Sequence, residues 1–251
     1  MKITIIGSGN IATHLAIALK KRGITIFEIY SRNYSNALAL AQSVGSYAIR
    51  YIEKLSPDAD IYLIAVSDKA ISEVVEQMPL VSGVVAHTAG CVPISILEKF
   101  SSNGAFYPLQ TFTKGIELDF AKIWIFIEGN NKNSTDKLKF LSSKLSNYVE
   151  TICSEKRAIL HLSATISCNF VNHLYFVSQQ IVEKAGLSFE YLKPVIEETA
   201  QKACKISPSL AQTGPAKRKD KDILKLHMKI LEYDDNFSEI YKKLSDSIGS
   251  R

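Results

Sequence analysis

The chain opens on Lys2-Ile3-Thr4-Ile5-Ile6-Gly7-Ser8-Gly9-Asn10-Ile11-Ala12, a β-branched apolar run cut off by Gly-x-Gly. Ile11, Leu15, Ala18 and Leu19 then recur at helical spacing up to Gly23, so the stretch reads as strand, tight turn and helix. A strand that feeds a helix through a glycine turn starts a parallel α/β sheet, and this turn has the form of a nucleotide-binding entry. Gly7 permits the sharp bend, and Gly9 lets backbone N–H groups approach a diphosphate whose charge suits the positive end of the new helix. Ala12 stands where only a small residue is needed for helix-on-strand packing. Gly7, Ser8, Gly9, Asn10 and Ile11 are therefore the first candidate cofactor residues.

The end of the next strand, Ile24 to Tyr30, decides which dinucleotide fits. An NAD site presents an acid there to hold the ribose hydroxyls, whereas an arginine accommodates the extra phosphate of NADP. Here the chain reads Tyr30-Ser31-Arg32-Asn33, and the nearest carboxylate, Glu28, lies inside the strand as an edge or face residue. Ser31 and Arg32 thus favour NADP over NAD; the alternative is that Arg32 is a solvated loop cation. A helix over 36–44 and a strand over 47–49 complete the first half of the sheet. The strand within Asp60 to Asp68 places Ala65, Val66 and Ser67 over the cofactor, because ligands lie outside the carboxyl ends of parallel strands, and Asp68 is expected to cap the following helix. Val84 to Gly90 repeats the pattern and adds Thr88; His87 is either a catalytic acid or a strand-end group that satisfies backbone. Pro108 breaks a strand in Gly104 to Phe112, leaving Gln110 and Thr111 in a loop that borders the pocket. A strand over 123–127, a helix over 134–145 and a strand over 149–152 close an eight-stranded, mostly parallel sheet in residues 1–152.

Residues 153–251 read as all-helical. Glu155 to Ala185 contains neither Gly nor Pro and stops at Gly186, which predicts one helix about 45 Å long. Further helices are expected over 191–204, 222–233 and 236–247, and Lys156 and Arg157 are expected in solvent, with a lysine base there as the alternative. At 100° per residue, His161, Thr165, Cys168 and Asn172 share a stripe of the long helix with Asn169 at its edge. Such groups need partners: a ligand, each other, or a neighbouring helix in a dimer core.

The net charge of +5 is dispersed, and its two dense clusters fall in a helix C-terminus (Lys20-Lys21-Arg22) and among acids (Lys217 to Lys221), so no nucleic-acid footprint is expected. Four cysteines without C-x-x-C spacing indicate neither a metal site nor a disulfide framework, and no run reaches the ~20 apolar residues of a membrane span. A cytoplasmic protein is expected.

Gly7 to Ala12, Ser31-Arg32, Ala65 to Asp68, His87 to Gly90, Tyr107 to Phe112, His161 to Asn169 and Thr213-Gly214-Pro215-x-x-Arg218-x-Asp220 together resemble bacterial Rossmann proteins with an all-helical C-terminal domain of unknown function, often labelled NADP oxidoreductases. These are distant relatives of pyrroline-5-carboxylate reductase, deazaflavin-dependent NADP oxidoreductase and the 6-phosphogluconate dehydrogenase group. Lys219 departs from the family's usual glycine beside Arg218. The resemblance implies a doubly wound Rossmann domain followed by a helical domain of the 6-phosphogluconate-dehydrogenase-like kind, an NADP site and a homodimer built through the helices. In the related dehydrogenases a basic residue and an asparagine on the corresponding helix face the nicotinamide, which implies His161 as proton donor and Asn169 as orienter. Gln110, Thr165, Asn172, Thr213 and Arg218 are then substrate candidates, with Arg218 matching a carboxylate or, instead, serving an inter-helix or subunit ion pair. The expected activity is NADP-dependent hydride transfer to or from a small carbonyl, hydroxy or imine substrate. The alternatives are an NADP-binding regulator or scaffold without turnover, and a methyltransferase, against which Ser31-Arg32 argues.

Overall fold

A computed structural model describes residues 1–250. β1 (Lys2–Ile6), β2 (Thr25–Tyr30), β3 (Tyr47–Ile49), β4 (Ile61–Ile64), β5 (Val84–His87), β6 (Asn103–Pro108), β7 (Ile125–Gly129) and β8 (Val149–Thr151) form one sheet in the order β3-β2-β1-β4-β5-β6-β7-β8. The first six run parallel in the doubly wound order, and β7 turns antiparallel against β6. Between them run α1 (Asn10–Lys21), α2 (Tyr34–Val44), α3 (Ile71–Gln77) and α4 (Lys132–Leu145). The sheet reverses its winding between β1 and β4, and a crevice opens there beyond the carboxyl ends of the strands.

Both faces of the sheet are covered, so the central strands are apolar on both sides. Ile3 and Ile5 meet Leu15, Ala16 and Leu19 of α1 on one face, while Ile6, Tyr62 and Ile64 meet Ile71, Val75 and Phe100 on the other. α1 fits its place because Ala12, Leu15, Ala16 and Leu19 recur on the side that is buried, and Lys20 and Lys21 fall where cations oppose the negative helix end. Asp68 does not cap the helix after β4. Ser67 stands at the cap position and Asp68 is the first residue of a 3-10 turn, Asp68–Ala70, that precedes α3.

The continuous helix predicted over 155–185 is interrupted. α5 (Ser154–Ala164) runs into a π-helical turn, Thr165–Phe170, before α6 (Val171–Lys184). A π turn closes i→i+5 bonds, so the 100° spacing that put Cys168 and Asn172 in line with His161 fails beyond Thr165.

The chain divides into two compact units, one over Met1–Asn169 and one from Phe170 onward. The second contains α6, α7 (Lys193–Lys205), α8 (Pro208–Ala211), α9 (Pro215–Arg218), α10 (Lys221–Ile230) and α11 (Asp235–Gly249). Within it His227 Nδ1 meets Tyr241 Oη at 2.7 Å, joining α10 to α11, and the Lys184 ammonium lies 3.7 Å from the centre of the Tyr233 ring. α9 ends on Lys219 at φ 57°, ψ 36°, the one non-glycine among the described residues in the left-handed region. The family's glycine is what this turn favours, and a side chain there carries strain. Lys219→Gly is expected to stabilise the protein by about 1 kcal/mol, after the flexibility glycine adds to the unfolded chain is subtracted; urea unfolding of the two proteins measures it.

Candidate functional site

The crevice at the reversal of strand order is a cleft of about 690 Å³. Its floor is the turn Gly7 to Ile11, and Ser31 and Arg32 stand at the β2 end and Ala65, Val66 and Ser67 at the β4 end. The turn is held from two sides. Gly7 N donates to Tyr30 O at 2.7 Å, and the Ser8 and Ser31 hydroxyls meet at 2.8 Å. A Cβ on Gly7 would stand 2.2 Å from the Ala65 carbonyl oxygen, at φ +129°, so this position admits glycine alone. Gly9 is different. Nothing lies within 4 Å of where its Cβ would be, and its face is open for a ligand to approach the backbone at the start of α1.

At the tip of β2 no carboxylate replaces Ser31 and Arg32. Glu28 accepts from Ser56 N at 3.0 Å instead, and burial pushes its carboxyl above the usual range. The acid that does line the cleft, Glu73, comes from α3 and accepts from Gln77 Nε2 at 3.3 Å. These donors, the open glycine face and the cation beside Ser31 fit a dinucleotide carrying an additional phosphate.

The segment after β6 lies across the same turn. Asn10 Nδ2 donates to Phe112 O at 2.7 Å, His14 Nε2 to Thr113 O at 2.9 Å and Lys114 Nζ to Ser8 O at 3.0 Å. Gln110 and Phe112 thereby join the cleft wall. Pro108 signalled the break that frees this loop, but nothing local in the sequence linked Phe112 or Lys114 to a turn about a hundred residues earlier.

Arg157, expected in solvent, is 1% exposed and anchors α5 to the sheet. Its guanidinium pairs with Glu128 of β7 and donates to Val92 O at 2.5 Å and Ser154 Oγ at 3.1 Å, while Ser154 Oγ donates to Glu128 at 2.8 Å. Burying this cation is tolerable because a carboxylate and a carbonyl meet it. One turn further on, the same face of α5 carries His161. Its ring rests on Gly90, where a Cβ would stand 2.5 Å from Nδ1, and Nδ1 lies 3.0 Å from Tyr107 Oη. Gly90 follows β5 and Tyr107 lies near the end of β6, two parallel neighbours, so His161 sits at the carboxyl edge of the sheet but does not itself line the cleft. Tyr107 is 7% exposed, and burial pushes its phenol up to about 12, so it keeps its proton at neutral pH. Tyr107 opens one of the motifs that carry the family resemblance, but its proximity to residue 161 is a tertiary fact that the sequence does not show.

Other candidates lie elsewhere. Thr88 does not line the cleft; it is buried at the β5 end with its N–H on Ile64 O at 3.1 Å. The Thr165 hydroxyl donates back to His161 O at 3.0 Å. Asn169 is exposed at the end of the first unit, and Asn172, Thr213 and Arg218 are exposed on the second.

His87 is a backbone-satisfying group: Nδ1 accepts from Ala89 N at 3.2 Å and the ring is fully buried. Burial, reinforced by the nearby Arg157 charge, lowers its pKa to about 4. Between the unfolded value of about 6.5 and that folded value, the unfolded chain binds more protons, so stability falls as pH drops through this window. The loss approaches roughly 3 kcal/mol at its acid end. His87→Gln is expected to flatten that dependence, read as a smaller change in urea midpoint between pH 7 and pH 4.5.

Residues 2–90 match the family described as NADP oxidoreductase, coenzyme F420-dependent, and residues 123–248 match a domain of unknown function, DUF2520. A Bacteroides fragilis structure provisionally named an NADP oxidoreductase is 37% identical, with 100% of this chain and 98% of that one covered at a TM-score of 0.92. A reductive aminase from Aspergillus terreus, solved with NADPH and ethyl levulinate, shares the fold at 13% identity and a TM-score of 0.75, over 98% of this chain and 92% of that one. Glutamyl-tRNA reductase of Moorella thermoacetica is 33% identical over 98 residues, which span 38% of this chain and 21% of that protein. The chain belongs to the DUF2520 family, and ahead of that domain it carries a segment of the NADP oxidoreductase type.

Proposed function

We propose that this protein is an NADP-dependent oxidoreductase that reduces a small carbonyl or imine compound, or runs the reverse reaction. One observation carries the reading: an open glycine turn at the sheet's switch point, with Ser31 and Arg32 in place of an acid at the end of β2. The match to the NADP oxidoreductase family over that same segment supports it. The turn from Gly7 to Ile11 holds the diphosphate, Ser31 and Arg32 hold the extra phosphate, and Ala65, Val66 and Ser67 lie along the coenzyme. When bound, the coenzyme supplies or accepts the hydride. His161 polarises the substrate's oxygen or nitrogen and gives it a proton, and Gln110 lines the cleft wall. Thr165 and Asn169, on the π turn after α5, join His161 on the substrate side, whereas Asn172, Thr213 and Arg218 belong to the second unit and are the substrate candidates there. The region 153–251 also carries the dimer contact.

The dimer is supported by surface that one copy leaves uncovered. Ile159, Leu162 and Ile166 on and just after α5, and Leu226 and Ile230 on α10, are each more than half exposed, and neither α10 nor α11 has a buried residue. Apolar faces of that kind are ordinarily covered by a partner. No helix among the described residues is long and apolar enough to cross a membrane, and the four cysteines are unpaired and exposed, which suits a reducing cytoplasm.

NADPH is expected to raise the melting temperature more than NADH, and S-adenosylmethionine to leave it unchanged, because a ligand stabilises only the state it binds. A shift with S-adenosylmethionine alone would overturn the reading. Arg32→Ala should weaken NADPH binding by about 10- to 100-fold while leaving NADH nearly unaffected, the loss of a charge-assisted contact; fluorescence titration of both coenzymes measures it. His161→Ala should retain NADPH binding and abolish turnover of any substrate found by screening carbonyl and imine compounds. Binding without turnover in the parent protein across that screen would favour a regulator.

A further inference from the structure

His161 can donate a hydrogen bond to a reactant only from a nitrogen that carries hydrogen, and the structure contains a device that selects that nitrogen. We propose that Tyr107 is a positioning residue that locks His161 in the tautomer with Nδ1 as acceptor and Nε2–H as donor. The inference rests on the oxidoreductase reading for its purpose but not for its test.

Three observations converge. Nδ1 is the inner nitrogen, seated over Gly90 and 3.0 Å from the Tyr107 hydroxyl. The hydroxyl has one proton to place and, among the described residues, His161 Nδ1 is its one hydrogen-bond partner. Were Nδ1 the donor, the phenol proton would be left without an acceptor in a side chain that is 7% exposed, which costs far more than the exchange gains. The phenol also remains a donor over the whole physiological range, since burial raises it to about 12.

The ring cannot turn away from this arrangement. Rotating it by half a turn would set a carbon against the hydroxyl, and a side chain at position 90 would collide with the imidazole, so glycine there is a condition of the contact. The backbone behind it is equally constrained: Arg157, one helical turn before His161, fixes α5 to Glu128 and to Val92 O, two residues after Gly90. The result is an imidazole whose Nε2–H is free of intramolecular partners among the described residues, on a half-buried residue.

The test is the nitrogen spectrum of the full-length protein labelled with 15N-histidine, recorded at neutral to mildly alkaline pH with NADP added or omitted. His161→Gln identifies the resonances, and His227, which meets Tyr241 at 2.7 Å, serves as a second tyrosine-bonded histidine in the same spectrum. The parent protein is expected to show His161 as a single tautomer with Nε2 protonated and Nδ1 bare. Tyr107→Phe should lose that single signature and give an averaged pair of nitrogens while His227 is unchanged. A parent spectrum with Nδ1 protonated overturns the proposal even if the variant fails to fold, and so does a folded Tyr107→Phe variant that keeps the parent tautomer. Because neither spectrum needs a substrate, a failure here leaves the coenzyme titrations intact, and failed titrations leave the tautomer assignment intact.

Discussion

The molecule depends on one close approach: the Ala65 carbonyl lies where a Cβ on residue 7 would be. That contact can exist only because Gly7 has no side chain and takes a backbone conformation other residues resist. It brings β1 and β4 together at the point where the sheet changes its direction of winding, and the crevice beyond them follows from the topology. Gly9, two positions on, meets no such neighbour. The two glycines thus do different things, one closing the fold and the other leaving backbone amides open to a ligand.

A second anchor lies beyond the glycine turn. Arg157 crosses from the first helix after the sheet to Glu128 and Val92, and this buried pair aligns the helix so that His161 falls on Gly90 beside Tyr107. A cation this deep is costly unless it is paired, and here a carboxylate, a carbonyl and a serine hydroxyl meet the two terminal nitrogens, while Nε has no partner among the described residues. The strength of that arrangement lies in geometry: one clamp sets the helix, the helix sets the imidazole, and the strand ends β5 and β6 supply the surface it rests on.

The loop that follows Pro108 links the two anchors. It begins at Tyr107, beside His161, and reaches back through Phe112, Thr113 and Lys114 to Asn10, His14 and Ser8. Coenzyme turn and imidazole therefore share a single connecting segment, so a ligand at one end touches the chain that leads to the other. The exposed apolar faces of the helices beyond the sheet are the remaining unsatisfied feature, and hydrophobic surface of that extent is stable in water chiefly when covered.

Much of this was legible in the residues alone, because strands and the first helix announce themselves by local periodicity and turn chemistry. The eight strands, the glycine turn, the NADP-favouring end of β2 and the helical character of the later part needed no knowledge of distant contacts. Periodicity could not foresee the π turn at Thr165, which changes the angular spacing on which the stripe through Asn172 relied. It also placed Arg157 in water and Thr88 at the coenzyme, since a residue's burial is decided by partners such as Glu128 and Ile64 that lie far along the chain. Local sequence determined the elements and the coenzyme turn, whose physics is contained within a few consecutive residues; tertiary structure alone decided the pairing of Tyr107 with His161, because hydrogen bonds between strand ends and a helix 54 residues away exist only once the sheet has closed.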